Sequence, residues 1–148
     1  MDGSRFSKIV SETLRAAGWF PGRRVPTDNW RQRLEADSFR SSEVAVDALA
    51  EFGGLQIRQR GAGITMARES IDLDPCLALG ERDRFLQFEG LIGRGLFPLG
   101  EGGGGHFFIA MSDEGAVFGV ADGIVQLGAT IEEALTNLIL GIRGVAIR

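Results

Sequence analysis

Apolar residues in the first third of the chain recur every three or four positions, which is the spacing of an amphipathic helix. These stripes predict three helices, over residues 6–17, about 28–37 and about 42–52. Gly18 follows the first stripe and Gly53-Gly54 follow the third, and glycine favours helix ends. The predicted apolar faces are Phe6, Ile9, Val10, Thr13, Leu14 and Ala17 in the first helix, Trp30 and Leu34 in the second, and Val44, Ala45, Ala48, Leu49 and Phe52 in the third.

Aromatic residues near the helix ends are expected in the core. Trp19 and Phe20 directly follow the first helix and precede Pro21, which disfavours helical backbone at Phe20. Near a helix end such side chains can cover the core, so we expect Trp19, Phe20 and Trp30 to be buried. The alternative is an exposed interaction surface, because aromatic residues are enriched where interfaces concentrate binding energy.

After residue 54 the pattern changes to alternation of apolar and polar residues, which is typical of strands. Leu55 and Ile57 predict one strand, and Ile64, Met66, Ile71 and Leu73 suggest further short strands. Helical spacing returns between Asp83 and Gly93. Residues 96–99 are then expected to be an extended segment that Pro98 breaks.

The clearest strand pair is His106–Met111 with Ala116–Val120, joined by a glycine-containing turn. Residues 124–127 add a strand, and a final helix follows over residues 130–140, opened by a capping box of Thr130 and Glu133. Its stripe is Ile131, Ala134, Leu135, Leu138 and Ile139. Helices first, strands next and a helix last predict an α+β fold, with a mostly antiparallel sheet packed against N-terminal helices and a C-terminal helix. We expect one domain over residues 1–148.

Charge and composition narrow the possible partners. The net charge is −4, but residues 1–60 carry ten basic and eight acidic side chains, whereas residues 61–148 carry six and twelve. An acidic half repels phosphate backbones and attracts a basic protein, so we expect a protein partner and no direct nucleic acid. The lone Cys76 and the lack of a long apolar segment are typical of a cytoplasmic protein without a membrane partner or cofactor. A monomer or weak homodimer is expected.

The order of several short motifs resembles the third family of SUKH immunity proteins, which are antitoxins of bacterial polymorphic toxin systems. The motifs that carry the resemblance are Ala16-Ala17-Gly18-Trp19-Phe20-Pro21-Gly22-Arg23, Phe52-Gly53-Gly54-Leu55, Ile71-Asp72-Leu73-Asp74-Pro75, Pro98-Leu99-Gly100-Glu101, the hairpin from His106 to Val120, and Leu127-Gly128 through Ala134-Leu135. The resemblance implies an α+β fold and direct binding to a toxin, often a nuclease, with no catalytic residues. Phe118 stands where a similar protein is expected to have Tyr, so it offers no hydroxyl for recognition.

The candidate binding residues are charged or polar and lie in the acidic half. Asp72 and Asp74 alternate with apolar residues, so in a strand both carboxylates would project from one face, as a docking patch or as a merely solvated surface. Glu101 and His106 flank a run of four glycines, and Glu114 lies in the hairpin turn. The glycine run lacks the Lys of a phosphate loop and leads into a strand, so a tight turn is the favoured interpretation.

Two other functions compete with toxin binding. A non-immunity interaction or regulatory module can have the same fold, because fold alone does not determine function. A hydrolase would need Cys76 as a nucleophile activated by His106. Cys76 lies in an apolar context, where a free cysteine usually behaves as a small hydrophobic residue. We therefore expect no enzymatic activity and no metal site.

Overall fold

The computed structural model describes residues 5–147, and within them the chain forms five α-helices and seven strands. The helices are α1 (Lys8–Ala16), α2 (Asp28–Ala36), α3 (Glu43–Phe52), α4 (Arg82–Ile92) and α5 (Ile131–Leu140), and a 3-10 helix covers Pro75–Ala78. The strands are β1 (Gln56–Ile57), β2 (Ile71–Asp72), β3 (Leu96–Gly102), β4 (Phe107–Ser112), β5 (Val117–Val120), β6 (Ile124–Gly128) and β7 (Val145–Ala146). None of these helices has the length and apolar character needed to cross a bilayer.

The seven strands form one sheet in which each strand pairs with the next along the chain, in the order β1 to β7. Every pairing is antiparallel. The predicted α+β class and mostly antiparallel sheet are therefore confirmed. All four residues of β5 are buried.

Side chains cap the starts of α3 and α5. The Ser42 hydroxyl accepts a hydrogen bond from the backbone N–H of Ala45 at 3.3 Å. Thr130 accepts one from the N–H of Glu133 at 3.1 Å, and the Glu133 carboxylate accepts one from the N–H of Ala129 at 3.0 Å. These bonds satisfy backbone donors that have no partner within the helix, so the capping box predicted for α5 is confirmed.

The helices pack closely on the sheet. Phe85 of α4 contacts Phe108 of β4, with ring centroids 5.6 Å apart. Helix α5 lies so close to β6 that a Cβ atom on Gly128 would come within 2.5 Å of the backbone nitrogen of Ala134. Leu135, at the centre of the α5 stripe, is 1% exposed. The predicted core face of α5 is therefore the face that packs inward.

The strand predicted around Ile64 and Met66 is absent. Residues 58–70 form a loop with one bridge, between Ala62 and Ala67, and Ile64 is 66% exposed. The backbone N–H of Ile64 donates to the carbonyl of Leu140 at 3.0 Å, and that of Met66 to Gly141 at 3.0 Å. Because these donors satisfy carbonyls at the C-terminal end of α5, they are not available to a neighbouring strand.

Pro98 does not break β3, contrary to the sequence prediction. The strand runs from Leu96 to Gly102 and shifts register against β4 between Pro98 and Gly100. On its other side, β3 pairs with β2 only at Glu101 and Gly102. Among residues 5–147, no strand therefore pairs with β3 beside Pro98 on that side to require the N–H that proline lacks.

Three apolar residues expected in the core are exposed instead. Phe20 is 53% exposed, Ile9 63% and Val44 39%. Trp19 is buried as predicted, and its ring stacks on Phe52 with centroids 6.3 Å apart. Because Trp19 fills the space beside α3, its neighbour Phe20 is left at the surface.

Candidate functional site

Two of the predicted site residues, Asp72 and Glu101, lie directly opposite each other on neighbouring strands. Asp72 of β2 pairs with Glu101 of β3 on one side and with Gln56 of β1 on the other. Residues that are directly opposite in an antiparallel pair project from the same face, and like charges at such positions are destabilising. The fold therefore places two carboxylates side by side near the β1 edge of the sheet.

Asp74 lies close to this pair without belonging to a strand. Strand β2 ends at Asp72, and the Asp74 carboxylate accepts a hydrogen bond from the N–H of Cys76 at 3.0 Å, which caps the 3-10 helix. The expectation that Asp72 and Asp74 share a strand is therefore wrong. The structure nevertheless brings together Asp72, Asp74 and Glu101, which we call the acidic cluster.

The electrostatics of Glu101 reflect this crowding. Burial raises the pKa of the Glu101 carboxyl, and the negative charges of Asp72 and Asp74 raise it further. One cation compensates: Arg58 Nη2 lies 3.2 Å from Asp72 Oδ1, with 59% of the arginine side chain exposed. Within residues 5–147 no cation lies within 4.0 Å of the Asp74 or Glu101 carboxylates. The acidic cluster is thus left with more negative charge than its neighbours neutralise.

The glycine run forms the turn between β3 and β4. Gly103, Gly104 and Gly105 have φ angles of +64°, +64° and +101°, which residues with a Cβ atom rarely adopt. A Cβ on Gly103 would come within 2.7 Å of His106 Nδ1. His106 Nδ1 donates to Glu69 Oε1 at 2.7 Å, since a carboxylate only accepts. The turn therefore holds His106 against Glu69 rather than in the acidic cluster.

Glu114 lies far from the other predicted residues. It occupies the turn between β4 and β5, where its carboxylate is 2.9 Å from Arg94 Nη1. The turn that holds His106 is at the opposite end of β4, and six strand residues span roughly 20 Å. The five candidate residues therefore occupy three places: the acidic cluster, the His106 turn and the Glu114 turn.

The residues of the hydrolase hypothesis are not joined. Burial raises the pKa of the Cys76 thiol, although nearby Arg33 lowers it and Asp74 raises it further. A raised pKa disfavours the thiolate, which is the nucleophilic form of cysteine. In the described part of the chain, the His106 side chain bonds to Glu69 and no hydrogen bond joins it to Cys76. Nor does any group of three or more His, Cys, Asp or Glu residues among 5–147 have an arrangement that could hold a metal ion.

Sequence reasoning missed a half-buried polar contact centred on Glu51. Its carboxylate accepts hydrogen bonds from Arg5 Nη1 at 2.7 Å and from Trp19 Nε1 at 3.0 Å. Arg5 also donates to Glu132 at 2.7 Å and so links the start of the chain to α3 and α5. Glu51 lies in α3 and has no local motif that signals its partners Trp19 and Arg5, which are 32 and 46 residues away in sequence.

Comparison with known proteins places the chain in a family. No curated protein and no solved structure shows significant similarity to the chain. The family model described as SUKH-3 immunity protein matches residues 6–141, which include all five helices, six of the seven strands and the acidic cluster. The match confirms the resemblance seen in the sequence motifs and indicates an immunity function. The chain therefore belongs to the SUKH-3 immunity protein family.

Proposed function

We propose that this chain neutralises a cognate toxin by direct protein contact, and that the acidic cluster forms part of the toxin-binding surface. The observation that supports the proposal is the placement of Asp72, Asp74 and Glu101 beside one another with a single exposed arginine as counterion. Such an arrangement lowers stability, because neighbouring carboxylates repel each other. A basic partner surface would relieve that repulsion on binding.

A nuclease-type toxin has the complementary chemistry. An enzyme that binds a polyanionic backbone does so largely with lysine and arginine, so its substrate-binding surface is basic. An acidic protein is attracted to such a surface and can cover it, which blocks the substrate without any catalysis by the inhibitor. The six basic and twelve acidic residues of positions 61–148 agree with this role.

The test uses the cognate toxin, to be sought among the products of the genes that neighbour the gene for this chain, with its activity removed by mutation. Association and dissociation rates are measured at low and high salt for the wild type and for the double variant Asp72→Asn/Glu101→Gln. The matched control is Asp113→Asn/Glu114→Gln, which removes the same charge from the opposite end of β4. We expect the first variant to slow association and to weaken its salt dependence, because exposed charges act mainly on the encounter rate.

Two results would contradict the proposal. If the wild type does not bind the toxin, direct neutralisation is wrong, and a regulatory interaction module becomes the better interpretation. If the wild type binds but both double variants associate at the wild-type rate at all salt concentrations, the acidic cluster is not part of the interface.

A further inference from the structure

The outward side of α4 carries two exposed leucines beside a glycine. The inward side packs through Phe85 and Phe88, which are 0% and 6% exposed. On the outward side, Leu86 is 50% exposed and Leu91 is 72% exposed. Gly90 lies one turn beyond Leu86 on the same side of the helix, and a Cβ atom there would meet nothing within 4 Å apart from its own stretch of α4. We call Leu86, Gly90 and Leu91 the outer face of α4.

Gly90 weakens the helix and packs against nothing in the monomer. Glycine within a helix is destabilising relative to alanine, because it loses more backbone entropy on folding. The other four α-helices among residues 5–147 contain no glycine. A glycine does, however, allow a second backbone to approach closely, since no side chain stands in the way. Gly90 beside two exposed leucines is therefore suited to contact with another helix.

The charges at the two ends of α4 have opposite signs. Asp83 lies in the first turn, and among residues 5–147 no cationic nitrogen is within 4.0 Å of its carboxylate. Arg94 follows the helix, and its Nη1 atom is 2.9 Å from Glu114 Oε1. The side chains of Arg94 and Glu114 are 48% and 69% exposed, so this pair contributes little to stability and Arg94 can take another partner. Each end of the outer face thus has a charge available to a partner.

The outer face is complementary to itself in an antiparallel pair of α4 helices. A two-fold axis midway between Asp83 and Arg94 places Asp83 of each copy opposite Arg94 of the other. The two residues are roughly 16 Å apart along the chain direction, so the ion pairs form at the two ends of the contact. The same axis brings Leu86 of each copy level with Gly90 and Leu91 of the other. The leucines then cover each other's apolar surface, and Gly90 leaves room for them.

We infer that the outer face of α4 binds the outer face of a second copy of this chain and so forms a weak, symmetric homodimer. A two-fold interface must be complementary to itself, which a surface that binds a different protein need not be. The contact is small, because α4 has 11 residues, whereas stable interfaces bury about 1,200–2,000 Å². Dimerisation therefore requires a high protein concentration. Asp72, Asp74 and Glu101 lie outside α4, so the dimer contact and the acidic cluster use different residues.

Analytical ultracentrifugation over about 10 µM to about 1 mM protein tests the contact. We expect the wild type to shift from monomer to dimer across this range. Gly90→Gln should weaken the dimer roughly tenfold, because the new side chain separates the helices. The same substitution should raise the melting temperature of the dilute monomer, since glutamine is a better helix former than glycine. Leu91→Ala should also weaken the dimer, whereas the matched control Ile64→Ala, which trims an exposed residue of the loop 58–70, should behave as the wild type.

Charge reversal tests the antiparallel arrangement. Asp83→Arg and Arg94→Asp each place like charges opposite one another at both ends of the contact, so each should weaken the dimer roughly tenfold at low salt. The double variant Asp83→Arg/Arg94→Asp restores opposite charges and should dimerise like the wild type. Circular dichroism of each variant checks that α4 still folds. Should a reversal fail to fold, Gly90→Gln decides, because its helix propensity is higher than that of the wild type.

Three results would overturn the inference. The first is a wild type that stays monomeric up to about 1 mM. The second is a dimer that neither Gly90→Gln nor Leu91→Ala weakens, which would place the contact elsewhere. The third is a double charge reversal that does not restore a dimer weakened by both single reversals, which would exclude the two-fold antiparallel pairing. If the wild type stays monomeric and Gly90→Gln instead slows association with the inactive toxin, the outer face belongs to the toxin.

Discussion

Replacing Glu51 by Gln should destabilise the fold in a pH-dependent manner. The substitution keeps the shape of the side chain and removes its charge. The wild-type carboxylate accepts bonds from Arg5 Nη1 at 2.7 Å, Arg5 Nη2 at 3.0 Å and Trp19 Nε1 at 3.0 Å. In the variant, an amide oxygen at the Oε2 position can still accept from Arg5 Nη1 and Trp19 Nε1, but without a negative charge. The NH₂ group at the Oε1 position faces Arg5 Nη2, which is a donor, so that bond is lost.

The expected loss follows from the exposure of each partner. Hydrogen bonds to a charged group contribute about 1.5–3 kcal/mol each when they are buried. The Arg5 side chain is 36% exposed and keeps its ion pair with Glu132 at 2.7 Å. The bonds between Arg5 and Glu51 therefore contribute less than a buried bond to the free energy of unfolding. The Trp19 indole is 2% exposed, so its hydrogen bond weakens without compensation by water when the acceptor loses its charge. We therefore expect the free energy of unfolding to fall by about 1–3 kcal/mol at pH 7.

The sign of the pH dependence is a further test. Burial acts to raise the pKa of Glu51, but the hydrogen bonds from Arg5 and Trp19, with the charges of Arg5 and Arg23, outweigh it and lower the pKa. A lowered pKa in the folded state stabilises the fold above the ordinary glutamate pKa and loses that effect as the pH falls through the lowered value. The difference in the free energy of unfolding between wild type and Glu51→Gln should therefore shrink as the pH drops below about 4.

Urea denaturation of both proteins at pH 7, 5 and 3.5 measures these differences, with Trp19→Phe added to complete a double-mutant cycle. A coupling energy near zero between positions 19 and 51 would show that the indole bond adds nothing. If the difference in the free energy of unfolding between wild type and Glu51→Gln stays constant from pH 7 to pH 3.5, the stabilisation does not depend on the charge of Glu51 and the reasoning is wrong.

Three other substitutions give distinct expectations in the same denaturation assay. Leu135→Ala should destabilise by about 2–5 kcal/mol, because Leu135 is 1% exposed, and a loss below about 0.5 kcal/mol would mean that another face of α5 packs inward. Glu101→Gln should stabilise by about 0.2–1 kcal/mol at pH 7. The pKa of Glu101 is raised in the folded wild type, so the wild type becomes more stable as the pH falls through that pKa. The greater stability of Glu101→Gln should therefore disappear near pH 4. Gly100→Ala should destabilise by about 1–3 kcal/mol, since the new Cβ would meet the Asp72 carbonyl. Its control, Gly90→Ala in open space on α4, should stabilise slightly.

Local pattern was sufficient for the helices and for the hairpin of β4 and β5. The apolar stripes of α1, α3 and α5 and the cap at Thr130 act over three or four residues, a distance that sequence displays directly. The hairpin of β4 and β5 was predictable for the same reason, because its turn is short and its strands alternate. The family resemblance likewise depended on motifs in sequence order, and the match over residues 6–141 agrees with it.

Tertiary structure decided everything that depends on which distant residues become neighbours. Asp72 and Glu101 are 29 positions apart in sequence, and only the pairing of β2 with β3 makes their charges interact. The same holds for Glu51, whose partners Arg5 and Trp19 come from a separate segment. The exposure of Phe20 also depends on packing, since a helical or strand pattern indicates which face a residue occupies and not what covers that face.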